Sequence, residues 1–345
     1  MAGSSRAVLS SISGWTPVPS PGPASRFSRK VLQHNTRHAA RFHIGVAMFF
    51  LSGITGQIGS AAADALLARG KSVRALVRDR ASAQHWANRG VDLREGDLRD
   101  AGALAAALDG VAGAFLMQPT PMGVTRGFPE AQALTDALVV ALNRKPPPRA
   151  VVLSSVGSEQ ASGLGNITQT HLLEQALAAF DLPLAIVRAG ALLENTVYGL
   201  QRAAETGVYD SFLQPVDRGF PMVATTDVGA EVARLLVEGW DGRRIVEAGS
   251  YVSPAELAQA MSVVLGISVE AKAIPRAYWP VVLAQMGLSP EQAENWEAMQ
   301  DSFNSGWIDF GRPGTEAVTG TTTLAEFFEN ATRRQRKPAD APRTA

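Results

Sequence analysis

The sequence predicts an α/β fold, a doubly wound parallel sheet completed by a smaller C-terminal α+β region. Three observations predict it. An apolar run ends in a turn of regularly spaced glycines and passes into a helical stripe. A strand–helix alternation repeats from there to about residue 190. Beyond that point the elements become shorter and less regular. Such alternation forms parallel strands with helices on both faces, because each crossover must return over the sheet.

The first element lies in "MFFLSGITGQIGS", residues 48–60. Phe49, Phe50 and Leu51 form the core of a short buried strand, and Gly53, Gly56 and Gly59 follow. From Ile58 the apolar positions Ala62, Leu66 and Leu67 fall at helical spacing, and Gly70 stops the helix. Strand, glycine turn and helix in that order suit a pyrophosphate. The first glycine turns the chain, the second admits phosphate to the backbone amides, and the third lets helix and strand pack closely. The helix N-terminus adds unpaired donors and partial positive charge. The spacing here is G-x-x-G-x-x-G.

The second strand is "KSVRALVRD", with Val73, Ala75 and Val77 alternating. A dinucleotide site usually places an acid at this strand end for the ribose 2′-hydroxyl. Here Arg78 comes first, and a guanidinium suits a 2′-phosphate. NADP(H) is therefore the expected cofactor. Asp79 next to it is the alternative ribose partner, which keeps NAD(H) open.

The alternation continues. "VDLREGD" is strand three, and "AGALAAAL" is a helix with Asp97 just before it. "GAFLMQP" is strand four, followed by a helix through "EAQALTDALVVAL" that "NRKPPPRA" breaks. "AVVLSS" is strand five, "THLLEQALAAF" a helix and "LAIVRAG" strand six. Ligands of such sheets lie at the carboxyl ends of the strands. That rule puts the glycine turn, Arg78, Asp97, Gln118, Ser154, Ser155 and residues 188–190 along one rim. Residues 48–190 are thus expected to form a Rossmann dinucleotide-binding domain, and residues 191–330 a substrate-binding region completing the same fold. In the latter, helices are expected at "DVGAEVARLLVEG", "SPAELAQAMSVVLG", "PEQAENWEAMQDSF" and "GTTTLAEFFEN", with strands at "RRIVEA" and "ISVEAKAI". Asp227 and Ser253 are expected as helix N-caps. Residues 331–345, basic and proline-bearing, are expected to be a flexible tail.

The 32 basic and 32 acidic residues balance, so no global electrostatic attraction to nucleic acid is expected. The absence of cysteine removes disulfides, thiolate nucleophiles and cysteine zinc sites, and suits a reducing, cytoplasmic setting. No early apolar run approaches the ~20 residues of a bilayer-spanning helix, so no membrane is expected as partner. Residues 1–47 carry six of the basic residues and no acid. Their prolines break helices, and they are excluded from the fold. They are expected to be disordered or to precede a true start at Met48. An organelle transit peptide is the alternative. His34, His38 and His43 lie there without carboxylate or cysteine, so no metal is expected.

Together "FLSGITGQIGS", "VRALVRD", "EGDLRD", "VVLSSVGS", "HLLEQAL", "LAIVRAGALLEN" and "TTDVGAEVA" resemble the NmrA-like atypical short-chain dehydrogenases/reductases, over roughly residues 48–330. That family includes NAD(P)H-dependent quinone reductases and redox-sensing regulators. The resemblance implies that Gly53, Thr55, Gly56, Gln57, Ile58 and Gly59 form the diphosphate loop, and that Arg78 meets the 2′-phosphate. It also implies that Asp97 and Leu98 neighbour the adenine, and that Met117 and Gln118 edge the ribose. The wider superfamily uses Tyr-x-x-x-Lys on the helix after strand five, where lysine lowers the tyrosine pKa. Here that pair reads Ile167 and His171. The imidazole suits a proton shuttle or a ribose hydrogen bond, or is simply a satisfied polar residue. Ser155 is expected to meet nicotinamide or substrate, or else to cap backbone locally. Ser154 is grouped with the cofactor contacts, and Glu194 and Asn195 with the substrate pocket.

Three functions follow as expectations. The first is an NADPH-dependent reductase of a quinone-like or other conjugated small molecule. The second is a non-catalytic nucleotide sensor with a protein partner. The third is a reductase or isomerase of larger aromatic compounds, disfavoured because such relatives keep lysine at the His171 position.

Overall fold

A computed structural model describes residues 47–336. The expectations for residues 1–46, their three histidines included, lie outside the described residues, as does the tail from 337.

The first half follows the hydrophobic pattern. β1 (Met48–Leu51) leads through the glycine turn into α1 (Gln57–Ala68). β2 (Ser72–Val77), the short α2 (Gln84–Ala87), β3 (Asp92–Glu95) and α3 (Ala101–Leu108) come next. β4 (Gly113–Leu116), α4 (Pro129–Arg144), β5 (Ala150–Ser155), α5 (Thr168–Leu177) and β6 (Leu184–Ala189) complete this half. β4 and β6 are buried along their whole length, as strands covered on both faces must be. Period-two alternation divides their side chains between two cores. Leu51, Phe115, Val151 and Val187 fall in one core, which also holds Ala62 and Leu66 of α1. Phe50, Leu116, Val152 and Ile186 meet α3, α4 and α5 on the other. Each fully buried residue of this size contributes about 2 kcal/mol.

The second half contains β7 (Ala191–Leu192), α6 (Leu200–Thr206), β8 (Val208–Ser211), β9 (Phe220–Val223) and α7 (Thr225–Glu238). It continues with β10 (Arg243–Ala248), β11 (Ser250–Val252), α8 (Pro254–Leu265), β12 (Glu270–Ala273) and α9 (Trp279–Gln285). α10 (Pro290–Ser305), β13 (Glu316–Val318) and α11 (Leu324–Arg336) end it. Two of these strands extend the main sheet, which has eight parallel strands in the order β3-β2-β1-β4-β5-β6-β10-β13. α7 packs beside α1 through Val228, Val232 and Leu236. The remaining strands form two small sheets, β11-β9-β7 and β12-β8. These lie over a separate core around Leu200, Leu257, Met261 and Phe328.

Two boundaries differ from expectation. Ser253 does cap α8, in a reciprocal box with Glu256. Asp227 does not cap α7. The N-cap is Ala224, and Asp227 sits in the first turn, where its carboxylate accepts the amides of Thr321 and Thr322. α11 runs to Arg336, past the expected boundary at 330. Thr323 and Glu326 cap its start, and Phe327 and Phe328 are buried against the C-terminal core.

Candidate functional site

Strand order reverses between β1 and β4. The crevice at such a switch point, beyond the carboxyl ends of the strands, is where open α/β sheets bind ligands. The glycine turn lies there. Gly53 adopts a left-handed φ of +70° and its amide-bearing turn closes by Gly56 N–H donating to Gly53 O at 2.9 Å. Gly59 is packed so closely on this turn that a Cβ would lie 2.0 Å from Gly53 O. Gly53 therefore turns the chain, and Gly59 lets α1 pack against that turn.

The turn presents amides to solvent. Thr55, Gly56 and Gln57 are exposed. Ser60 N–H bonds back to Gly56 O at 2.9 Å, so the preceding amides of α1 lie in the unpaired first turn. Gly56 makes no side-chain cap and the first turn holds no acid, so among the described residues no side chain competes there with an anion. These residues fit the diphosphate of a dinucleotide.

Around the turn, Ser52 accepts Met117 N–H at 2.7 Å and so ties the end of β1 to the end of β4. Sequence reasoning passed over Ser52. Its signal was a single hydroxyl between an apolar strand and the first glycine. Met117 packs on Gly53, and a small cleft opens between Ser52, Leu98, Leu104, Leu116, Met117 and Gln118. The Gln118 side chain is buried, its amide donating to Gln169 O at 2.6 Å and accepting from Thr135 Oγ1.

Arg78 is exposed at the end of β2. Asp79 is occupied locally, accepting the amides of Ala81 and Ser82 at 2.8 and 3.2 Å. Asp97 is bound by Arg99. That guanidinium and the Arg99 amide hold the carboxyl well below the usual carboxylate range, and Arg78 adds to the effect. A free guanidinium and an ionised acid thus flank Leu98 at the rim.

At the other end of the rim, successive residues of β5 point to opposite faces. Ser155 is half-buried with its hydroxyl on the Val156 carbonyl. Ser154 is buried, and its hydroxyl donates to Glu174 Oε1 at 2.5 Å. That hydroxyl is engaged inside the protein. His171 on α5 has Nδ1 2.8 Å from Ser158 O. A carbonyl only accepts, so Nδ1 carries a proton, and in the neutral ring Nε2 carries the lone pair. Glu194 and Asn195 separate. Asn195 is exposed, whereas the Glu194 carboxylate accepts both the amide and the hydroxyl of Thr225, at 3.0 and 2.6 Å, and caps α7.

One buried group lay on the expected rim but points elsewhere. Arg188 on β6 shares a register with Ser154 on β5 and Glu247 on β10. It donates twice to Glu174 on α5, at 3.0 and 2.7 Å. Burial alone would lower the Arg188 pKa. The Glu174 hydrogen bonds, with the charges of Glu174, Glu159 and Glu247, outweigh it and raise the pKa. Among the described residues no cluster of His, Asp or Glu is arranged to hold a metal, and no helix is long and apolar enough to cross a membrane.

Compared with known proteins, residues 49–328 match the model of the NmrA-like family. The NAD(P)H azoreductase of Xenophilus azovorans is 26% identical over 288 residues, 81% of this chain and 96% of that protein. Quinone oxidoreductase 2 of Escherichia coli (strain K12) is 27% identical over 287 residues, with coverage of 81% and 96%. The solved structure of the Escherichia coli NADPH-dependent quinone oxidoreductase complexed with NADPH has the same fold. Its TM-score is 0.68 at 23% identity, covering 84% of this chain and 100% of that one.

Proposed function

The chain belongs to the NmrA-like family, and from that premise we propose that it is an NADPH-dependent oxidoreductase of a quinone-like or other conjugated small molecule. The observation that carries the reading is the glycine turn with its uncontested amides beside a free Arg78 guanidinium. The names of the azoreductase and quinone oxidoreductase relatives support the acceptor class.

In this reading the amides of Thr55, Gly56, Gln57 and Ile58 hold the diphosphate, with Gly53 and Gly59 shaping the turn. Arg78 takes the 2′-phosphate by a charge-assisted hydrogen bond. Asp97 and Leu98 flank the adenine, and the backbone of Met117 and Gln118 borders the ribose. When bound, NADPH supplies the hydride. The chain's own task is mainly to align the reactants. Ser155 Oγ turns from its local carbonyl to the nicotinamide or the acceptor, while Ser154 supports α5 from beneath. His171 Nε2 hydrogen-bonds the ribose or exchanges a proton between water and the reduced acceptor. Asn195 meets the acceptor. A conjugated acceptor places the incoming charge on a delocalised oxygen or nitrogen, so it needs little acid help. That accounts for the lack of the Tyr-x-x-x-Lys pair. Bound nicotinamide cofactor and acceptor require no membrane or nucleic acid, and a cytoplasmic setting suits a chain without cysteine.

Calorimetric titration with NADPH, NADP, NADH and NAD, then NADPH consumption over a panel of quinones and azo dyes, tests the reading. Preference for NADPH and turnover with at least one acceptor are expected. The absence of heat with every nucleotide sinks it. The missing Tyr and Lys also favour a second reading, a nucleotide sensor. That reading expects tight binding without turnover and a protein partner recovered at one redox poise only.

A further inference from the structure

We infer that Arg188 is a positioning residue that locks the His171 imidazole in one tautomer by gripping both of its anchors. The inference rests on the reductase reading only for the use made of that imidazole.

His171 is held from two directions. Its ring is fixed by the Ser158 carbonyl, 2.8 Å from Nδ1, and its backbone by α5. Arg188 reaches both supports. Nε and Nη2 grip the Glu174 carboxylate in a two-pronged pair at 3.0 and 2.7 Å. Glu174 lies three residues after His171 on the same helix, a spacing that keeps side chains on one face. The third nitrogen, Nη1, lies 3.1 Å from Glu159 Oε2. That oxygen is buried without a hydrogen-bond partner, so the contact is an ion pair by proximity. Glu159 directly follows Ser158. One planar cation therefore sets the distance between the helix that carries the imidazole and the loop that accepts its proton.

The loop is secured again from outside. Arg312 donates to Glu159 Oε1 at 2.8 Å, and Ser158 Oγ pairs with Thr170 Oγ1 at 2.8 Å. Glu247, in register with Arg188, accepts Gly311 N–H at 2.7 Å and so fixes the segment bearing Arg312. Two guanidinia and three carboxylates thus cluster together, Arg188 on β6, Glu247 on β10, Glu174 on α5, and Glu159 and Arg312 on loops. Burying such a cluster is a poor source of stability, since apolar packing of equal volume commonly does as well. What the cluster supplies is geometry. A planar fork imposes both distance and orientation, which an apolar contact does not.

The consequence is a single neutral form of His171, protonated at Nδ1 with the Nε2 lone pair toward the rim. If the loop drifts from α5, the carbonyl no longer selects Nδ1–H and the two tautomers mix.

The test uses the full-length 15N-labelled chain and long-range 1H–15N correlation of the imidazoles at a pH where they are neutral. His171→Gln assigns the signal. The wild type is expected to show His171 in the Nδ1–H form alone. Glu159→Gln and Glu174→Gln should each bring in the Nε2–H form. Each should also lower kcat or NADPH affinity, whichever the imidazole serves, in proportion to the Nδ1–H fraction lost. Glu174 is deeply buried and its variant can fail to fold. Glu159 is the more accessible of the two, so Glu159→Gln decides in that case. A folded Glu159→Gln protein with wild-type melting temperature and an imidazole still wholly Nδ1–H overturns the inference. So does an Nε2–H signal in the wild type. Should no acceptor be reduced by the wild type, the reductase reading fails while the tautomer measurement still decides this one.

Discussion

Residues 48–190 and 191–336 are held together in different ways. In the first region each element follows its own apolar period, and every strand pairing but β1–β4 joins strands adjacent in the chain. β1 pairs with β2 and β2 with β3, and α1 and α2 between them bury residues in the same core. In the second region the element ends are satisfied from far away. Glu194 caps α7, Asp227 receives the 321–322 amides, and Arg218 closes the last turn of α10 by bonding Phe303 O and Asn304 O. The difference teaches that local pattern specifies an element, whereas its polar partners are specified only by the assembled fold.

The comparison breaks first at Gly59. Gly59→Val would drive side-chain atoms into the Gly53 carbonyl, where even a Cβ lies at 2.0 Å. It should abolish NADPH binding and cost about 4 kcal/mol or more of stability by denaturant unfolding, because backbone cannot yield as a side chain does. Local sequence in the first region would then control both fold and function. Retained NADPH binding would refute the cradle.

Arg188, at the seam, joins both regions. Arg188→Met leaves Glu174 buried and unpaired and should cost about 3–5 kcal/mol. The double variant Arg188→Met, Glu174→Met should recover most of that loss. A simple sum of the two single losses would show that the pair is not coupled.

Arg78→Ala sharpens the contrast, because an exposed side chain of the first region should affect function alone. NADPH affinity should fall about tenfold to a hundredfold, the worth of a charge-assisted hydrogen bond. NADH affinity and melting temperature should not move. Equal losses for both nucleotides would assign the 2′-phosphate to another group.

Tyr209 probes the core of the second region through pH. Burial pushes its phenol from 10.0 up to about 12. The folded state thus keeps a proton that the unfolded chain releases. Its stabilisation is complete below pH 10 and is lost as pH rises from there toward 12, a fall of about 1–2 kcal/mol. Tyr209→Phe should flatten that part of the urea-midpoint profile.

The smallest effect tests the exception. Ser253 caps α8 from within its own segment, so the second region is locally specified there. Ser253→Ala should cost about 1 kcal/mol, read as a lowered denaturant midpoint with an unchanged slope.

The same distinction governs what was legible in the sequence. The glycine turn, Arg78 and the strand–helix order through β6 follow from spacing and period, which act over a few residues. The later helices and β10 also appear where their patterns put them. The pairings β9–β11 and β8–β12 do not, because strands of three or four residues carry too little alternation to choose a partner. Within the site, the failures concern direction. Ser154 and Ser155 are adjacent, and only the sheet's register shows which hydroxyl turns inward. Gln118 and Glu194 find partners 51 and 31 residues away, beyond any local rule. Arg188 was placed on the rim by position, and its burial was invisible until α5 and the 158–159 loop closed over it.

The margins of the eight-stranded sheet have a consequence for the crowded cell. β3, the outer strand on one side, exposes Arg94 and Glu95, and Asp92 is engaged by Arg74 and Arg94. β13, on the other side, is three residues long and carries Glu316, paired with Arg244. Unpaired backbone at a sheet margin templates the addition of foreign strands unless charge or brevity prevents it. Among the described residues, charge guards one flank of this sheet and brevity the other, so neither margin is a ready platform for cross-chain β aggregation.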